Sequence, residues 1–122
     1  MSKLKPDAIV GSCVVQPLVR EPLSVQAAVS VAEKFKALSD PVRLRLLSSI
    51  ASRTGGEACV CDISVGLDVS QPTISHHLKV LRDAGLLTSE RRASWVYYAV
   101  VSEALTALSS LLDVGAEAGV PA

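Results

Sequence analysis

Residues 70–85, SQPTISHHLKVLRDAG, decide how the rest of the chain is read. Ser70 is a good helix N-cap, Pro72 suits a first helical turn, and Gly85 supplies the left-handed residue that ends a helix. At about 100° per residue, Ile74, Leu78 and Leu81 fall on one side, and Ser75, His76, Lys79, Arg82 and Asp83 on the other. The spacing therefore predicts a helix over 70–84 with one packed face and one polar face.

Upstream, CVCDISVGL (residues 59–67) is long enough for two turns of helix at most, and Asp68-Val69 reads as a turn. Downstream, LLTSE (86–90) and WVYYAV (95–100) are strand-like, and Arg91-Arg92-Ala93-Ser94 is expected to join them as a hairpin. A short helix, a turn, a helix with a polar outer face and then a hairpin is a winged helix-turn-helix. On such a second helix the first polar residues reach base edges in the major groove. Here these are Ser70, Gln71, Thr73, Ser75 and His76, with Lys79 for a phosphate. Gln71 can offer adenine a paired donor and acceptor. Arg91 and Arg92, expected at the wing tip, would add charge neutralisation on the DNA backbone or in the minor groove.

Working further outward, Ser24 caps a helix whose apolar stripe is expected to be Val25, Ala28, Val29, Ala32 and Phe35, ending near Leu38. Asp40 and Pro41 restart the chain. The next helix turns inward either Leu44, Leu47 and Ala51 or Leu46 and Ile50, and Thr54-Gly55-Gly56 stops it. Ser102 caps a last helix with Leu105, Leu108 and Leu112 as its stripe. The expected organisation is an extended arm over 1–23, a mainly α domain with a small β-hairpin over 24–114, and a flexible tail over 115–122. The outer helices carry more leucine and valine than one small domain covers, which predicts a homodimer with recognition helices about 34 Å apart.

The whole chain agrees with one such domain. It has 122 residues, 49% hydrophobic and 20% charged, enough to build a core. Its 12 basic and 12 acidic side chains cancel, so no global basic pull on nucleic acid exists. The charge is segregated instead. Lys34, Lys36, Arg43, Arg45 and Arg53 face only Asp40 in one segment, whereas Glu103 onward is acidic. No apolar stretch reaches the roughly 18 residues of a membrane span, and Gly11 and Pro17 cut the short run that follows the first lysines. The expectation is a cytoplasmic protein with no membrane partner.

The 3 cysteines are an odd count without an export signal, which favours free or metal-bound thiolates over a disulfide framework. Cys59 and Cys61 are expected at the start of the short helix, where the helix dipole lowers a thiol pKa. Positions i and i+2 of a regular helix lie about 200° apart, so both sulfurs could hold one ion only if the helix end unwinds. That would disturb the recognition helix. His76 and His77, about 100° apart, cannot easily share an ion, and His77 is read as packed or hydrogen-bonded.

With these motifs in place, the sequence resembles the ArsR/SmtB family of metal-responsive bacterial repressors. The resemblance rests on FKALSDPVRLRLL, VSQPTISHHLKVLRDAGLL and RRASWVYYAV, and covers roughly 30–112. It implies a dimeric repressor that binds double-stranded operator DNA and leaves it when an inducer binds; no obligatory cofactor and no enzymatic activity are implied. ACVCDI (58–63) is similar to the thiolate signature of the arsenic- and cadmium-sensing members, in which a third cysteine often follows three residues on. Here that position is Ser64, and Cys13 is the only substitute. Three sulfurs suit As(III) or Sb(III), so the resemblance points to Cys13, Cys59 and Cys61 as the inducer site. Lead, bismuth or another thiophilic metal remain open, as does an oxidant that joins Cys59 or Cys61 to Cys13. A small thiol enzyme is disfavoured, because CxC is not CxxC and no phosphate loop or nucleophile elbow occurs. A structural zinc module is poorly served by two cysteines at this spacing.

Overall fold

The computed structural model describes residues 18, 21–63 and 66–114. The elements run α1 (Val25–Leu38), α2 (Pro41–Ala51), β1 (Glu57–Cys59), α3 (Val60–Ile63), α4 (Gln71–Asp83), β2 (Leu87–Arg92), β3 (Trp95–Val100) and α5 (Ser102–Leu112). Helices dominate, with one small antiparallel sheet in the order β1-β3-β2. The chain divides into two compact units: one up to Glu33 and from Ser102, the other Lys34–Val101.

The Lys34–Val101 unit is a winged helix-turn-helix. Asp40 takes an extended conformation before α2 and its carboxylate accepts the amides of Val42 (2.8 Å) and Arg43 (3.1 Å). These amides, that of Arg43 most, hold the Asp40 carboxyl below the usual carboxylate range. Of the two inward sets open for α2, Leu46 and Ile50 are buried, joined by Leu47, while Leu44 and Ala51 are exposed. α2 packs on β3 and α4, and the core is completed by Ile74, Leu78, Leu81, Leu86 and Leu87.

Two expectations need correction. The segment read as the start of a short helix contains a strand: β1 pairs with β3 in the register Glu57↔Ala99, Ala58↔Tyr98 and Cys59↔Tyr97, so the hairpin is a three-stranded sheet. Helix begins only at Val60 and lasts four residues. Arg91 and Arg92 do not form the hairpin tip. They close β2 opposite Val96 and Trp95, leaving Ala93-Ser94 as a two-residue turn with Ala93 at φ 55°. A two-residue turn with positive φ matches the twist of the flanking strands, which explains why pairing runs so far out.

The outer helices are expected to carry more apolar surface than one small domain covers. Ser24 caps α1 as expected, its hydroxyl accepting the amide of Ala27 at 3.1 Å. Most of the stripe read from its spacing lies outside: Val25 is 80% and Val29 55% exposed, Ala28 and Ala32 are exposed as well, and Phe35 is half-buried. The buried side is Ala27, Val31, Lys34 and Ala37. α1 carries two apolar faces, and helical period alone does not say which one the chain itself covers. In α5 the buried residues are Ala104, Ala107, Leu108 and Leu111, with Leu112 exposed. Among the described residues no helix is long and apolar enough to cross a membrane.

Candidate nucleic-acid interface and thiol site

In the α3–turn–α4 segment, α4 is closed at both ends by local hydrogen bonds. The Ser70 hydroxyl lies 3.4 Å from the amide of Thr73 and 2.9 Å from its hydroxyl, closing the N-terminal turn. At the far end Gly85 (φ 85°) donates to Arg82 O at 2.9 Å and Leu86 to Leu81 O at 3.0 Å. Ile74, Leu78 and Leu81 are buried beneath. Ser70, Gln71, Thr73, Ser75, His76 and Lys79 are all exposed on the outside, as the spacing required. Lys79 pairs with Asp83 across one turn at 2.7 Å, and this bond draws the Asp83 carboxyl below its ordinary range. Arg82 reaches Ser89 on β2 at 3.5 Å.

The wing arginines differ from one another. Arg92 is engaged within the sheet: its guanidinium contacts Glu57 of β1 at 2.7 Å and Glu90 at 2.8 Å and lies 4.5 Å over the Tyr97 ring. The bonds to Glu57 and Glu90 raise its pKa further. Arg91, on the opposite face of β2, is exposed and makes no such pair among the described residues. Nothing in composition or spacing announces the Arg92–Glu57 tie, because it joins residues 35 positions apart.

The thiol site sits in the same unit. Cys59 ends β1, buried, and Cys61 opens the first turn of α3, exposed. Their sulfurs are paired as a disulfide over a Cα–Cα distance of 5.2 Å, and the amide of Cys61 points at Cys59 Sγ at 3.3 Å. This overturns both the expectation of separated thiolates and the geometry behind it. The 200° separation holds only inside a helix, whereas Cys59 is extended, and the change from strand to helix brings the sulfurs together. No unwinding is needed to unite them. Cys13 and Ser64 lie outside the described residues, and no cluster of three metal-ligating side chains occurs among those described.

Residues 40–89 match the family described as bacterial regulatory protein, arsR family. A helix-turn-helix transcriptional regulator of Methanocaldococcus jannaschii is 40% identical over 82 residues, which span 67% of this chain and 90% of the relative. The chain belongs to the ArsR family. Its members similar to this chain also include an arsenical resistance operon repressor of Bacillus subtilis, 41% identical over 64% of this chain and 72% of the relative. Among solved structures, an ArsR-like transcriptional regulator from Rhodococcus sp. RHA1 superposes with a TM-score of 0.61 at 28% identity, covering 76% of this chain and 86% of that one. This ArsR-family chain is accordingly a DNA-binding transcription regulator and not an enzyme.

Proposed function

We propose that the protein is a homodimeric repressor that holds operator DNA through α4 and the wing and releases it when trivalent arsenic or antimony binds Cys59 and Cys61. The observation that carries this reading is the meeting of the two sulfurs at the junction between β1, a strand of the wing sheet, and α3, the first helix of the helix-turn-helix. A ligand there touches at once the sheet that carries the wing and the helix that precedes α4. The names of relatives that regulate arsenical resistance support the choice of ligand.

On α4, Gln71, Thr73, Ser75 and His76 would read base edges, with Ser70 and Lys79 on phosphates. On the wing, Arg91 is presented for the DNA backbone; Arg92 would have to exchange its carboxylates for phosphate. The second copy would cover the exposed Val25 and Val29 face of α1 and Leu112 and Val114 at the end of α5.

Reduced Cys59 and Cys61 supply two soft thiolates, the donor set that a thiophilic metalloid requires. Each thiol that binds an arsenic hydroxide forms one As–S bond and releases its proton in one water. Two thiols complete an aryl-arsenical; arsenite takes a third, and Cys13 is the candidate. Pre-reduced protein on a labelled operator should therefore lose DNA on addition of arsenite and of phenylarsine oxide. Cys13→Ser should blunt the first response and spare the second. Retention of operator by wild-type protein at saturating concentrations of both arsenicals would contradict the reading.

The disulfide pairing of Cys59 and Cys61 supports one second reading, an oxidant response in which the two thiols give two electrons and two protons to a peroxide. Release by peroxide, reversed by dithiothreitol without any metalloid, distinguishes it.

A further inference from the structure

We propose that Arg43 and His77 form a positioning pair that fixes the rotation of α4, and that sequence-specific DNA recognition depends on it. The inference rests on the reading of α4 as the DNA-reading helix. Arg43 lies in the first turn of α2, half-buried. Its Nε donates to Ala37 O at 2.6 Å and its Nη2 to Lys36 O at 3.5 Å, both carbonyls in the last turn of α1, of which Lys36 O also accepts the Ser39 amide at 3.1 Å. Its Nη1 meets His77 Nδ1 at 3.1 Å. A guanidinium can only donate, so Nδ1 is the acceptor, carries no proton, and leaves the ring proton on Nε2. One planar fork thus ties the end of α1 and the start of α2 to the middle of α4. This also removes Arg43 from the basic face on which its position in the sequence had suggested it would stand.

The pair matters because of where His77 stands on the helix. His76 before it is exposed, and Leu78 after it is buried. Beneath α4 the core is aliphatic, and an aliphatic ridge tolerates a small roll or slide because its contacts have no direction. A hydrogen bond to a planar donor, itself anchored on two carbonyls, does have one. The Arg43–His77 bond therefore indexes the rotation that aims Gln71, Ser75 and His76. Their short polar tips need that aim, since a base-edge contact fails with a displacement of about 1 Å. Phosphate contacts tolerate more, so loss of the pair removes specific binding and leaves non-specific binding in place.

The test uses the full chain, a duplex selected by the wild-type protein from a random pool, and an unselected duplex of the same length. His77→Leu is expected to weaken binding to the selected duplex by roughly tenfold or more while changing binding to the unselected one by no more than about twofold. His77→Gln, whose side-chain oxygen can accept from Arg43, should recover most of the loss. Arg43→Lys should not, because a point cation cannot serve the three acceptors in their plane. Nitrogen-15 spectra of the wild-type protein should show His77 with Nδ1 unprotonated and Nε2 protonated. Full affinity of His77→Leu for the selected duplex, or a proton on Nδ1, would overturn the proposal. Should His77→Leu not fold, the wild-type nitrogen spectrum decides. Gln71→Ala separates the two levels: if it weakens selected binding while His77→Leu does not, the positioning role alone fails. If both retain full affinity, the assignment of α4 fails with it.

Discussion

The helix proposed to face DNA and the segment that carries the thiols are neighbours in sequence and opposites in construction. α4 spans 13 residues, is closed at both ends by its own residues and buries Ile74, Leu78 and Leu81. Glu57–Ile63 consists of a three-residue strand and a four-residue helix, and its order comes from the β1–β3 ladder and from Arg92 reaching over to Glu57. A helix of one turn cannot sustain itself, and a three-residue strand has no independent stability. Reading DNA demands rigid side-chain placement. Responding to a ligand demands an element whose alternatives are close in free energy, and such elements come from the least stable part of a fold. On the proposed function, recognition falls to a locally determined structure and sensing to one held from a distance.

The largest expected effect lies beneath the rigid element. Leu78→Ala removes a wholly buried side chain and should cost ~2–5 kcal/mol in chemical denaturation, destabilising the entire Lys34–Val101 unit. A loss under about 1 kcal/mol would mean that α4 is not the keystone of that unit.

On the outer face of the same helix the balance reverses. Gln71→Ala should leave the denaturation midpoint nearly unchanged and cost ~1–3 kcal/mol in binding to a selected duplex. Anisotropy titrations on selected and random DNA check this, and equal losses on both would deny Gln71 a base contact.

The thiol segment should behave in the opposite way to α4. In the reduced protein Cys61→Ser changes an exposed position and should alter stability by less than about 0.5 kcal/mol. It should nevertheless abolish release by phenylarsine oxide, which needs both sulfurs. Cys59→Ser puts a hydroxyl at a buried site and should cost ~1–3 kcal/mol unless that hydroxyl finds a partner. An arsenical response that survives in either variant would move the sensor elsewhere.

The smallest effects belong to the wing. Arg92→Ala breaks exposed ion pairs with Glu57 and Glu90, which typically contribute ~0–1 kcal/mol. Arg91→Ala should leave stability alone and reduce the salt dependence of DNA binding by about one unit of slope. If instead Arg92→Ala alone changes the slope, DNA draws Arg92 away from its carboxylates and the wing contact is the reverse of the one drawn here.

What could be read in advance follows the same division. The Ser70 cap, Pro72, the Ile74, Leu78 and Leu81 stripe and Gly85 each act on neighbours no more than about five residues away, so α4 and its outward side chains were legible. β1 was not, because Glu57–Cys59 becomes a strand only by pairing with Tyr97–Ala99, some 40 residues on, and the local pattern ACVCDI suits a helix start equally well. Once Cys59 was placed on a helix, the separation of the sulfurs followed and was wrong for the same reason. Val25 and Val29 mark a different limit. Their helical spacing is legible, but spacing alone did not point to Ala27, Val31, Lys34 and Ala37 as the side that the chain itself buries. Arg43 shows a third: counting charges along the chain could not reveal that its guanidinium turns toward Ala37 O and His77.

The central claim is that occupancy of the Cys59–Cys61 pair and reading of DNA by α4 are thermodynamically linked. Linkage is reciprocal, so the most direct test measures phenylarsine oxide affinity of the reduced protein, free and saturated with a selected duplex, beside duplex affinity with and without the arsenical. The account predicts that each ligand weakens the other by the same factor, at least about fivefold, corresponding to ~1 kcal/mol or more. Tight arsenical binding that leaves duplex affinity unchanged, with equal arsenical affinity in free and DNA-bound protein, would contradict it.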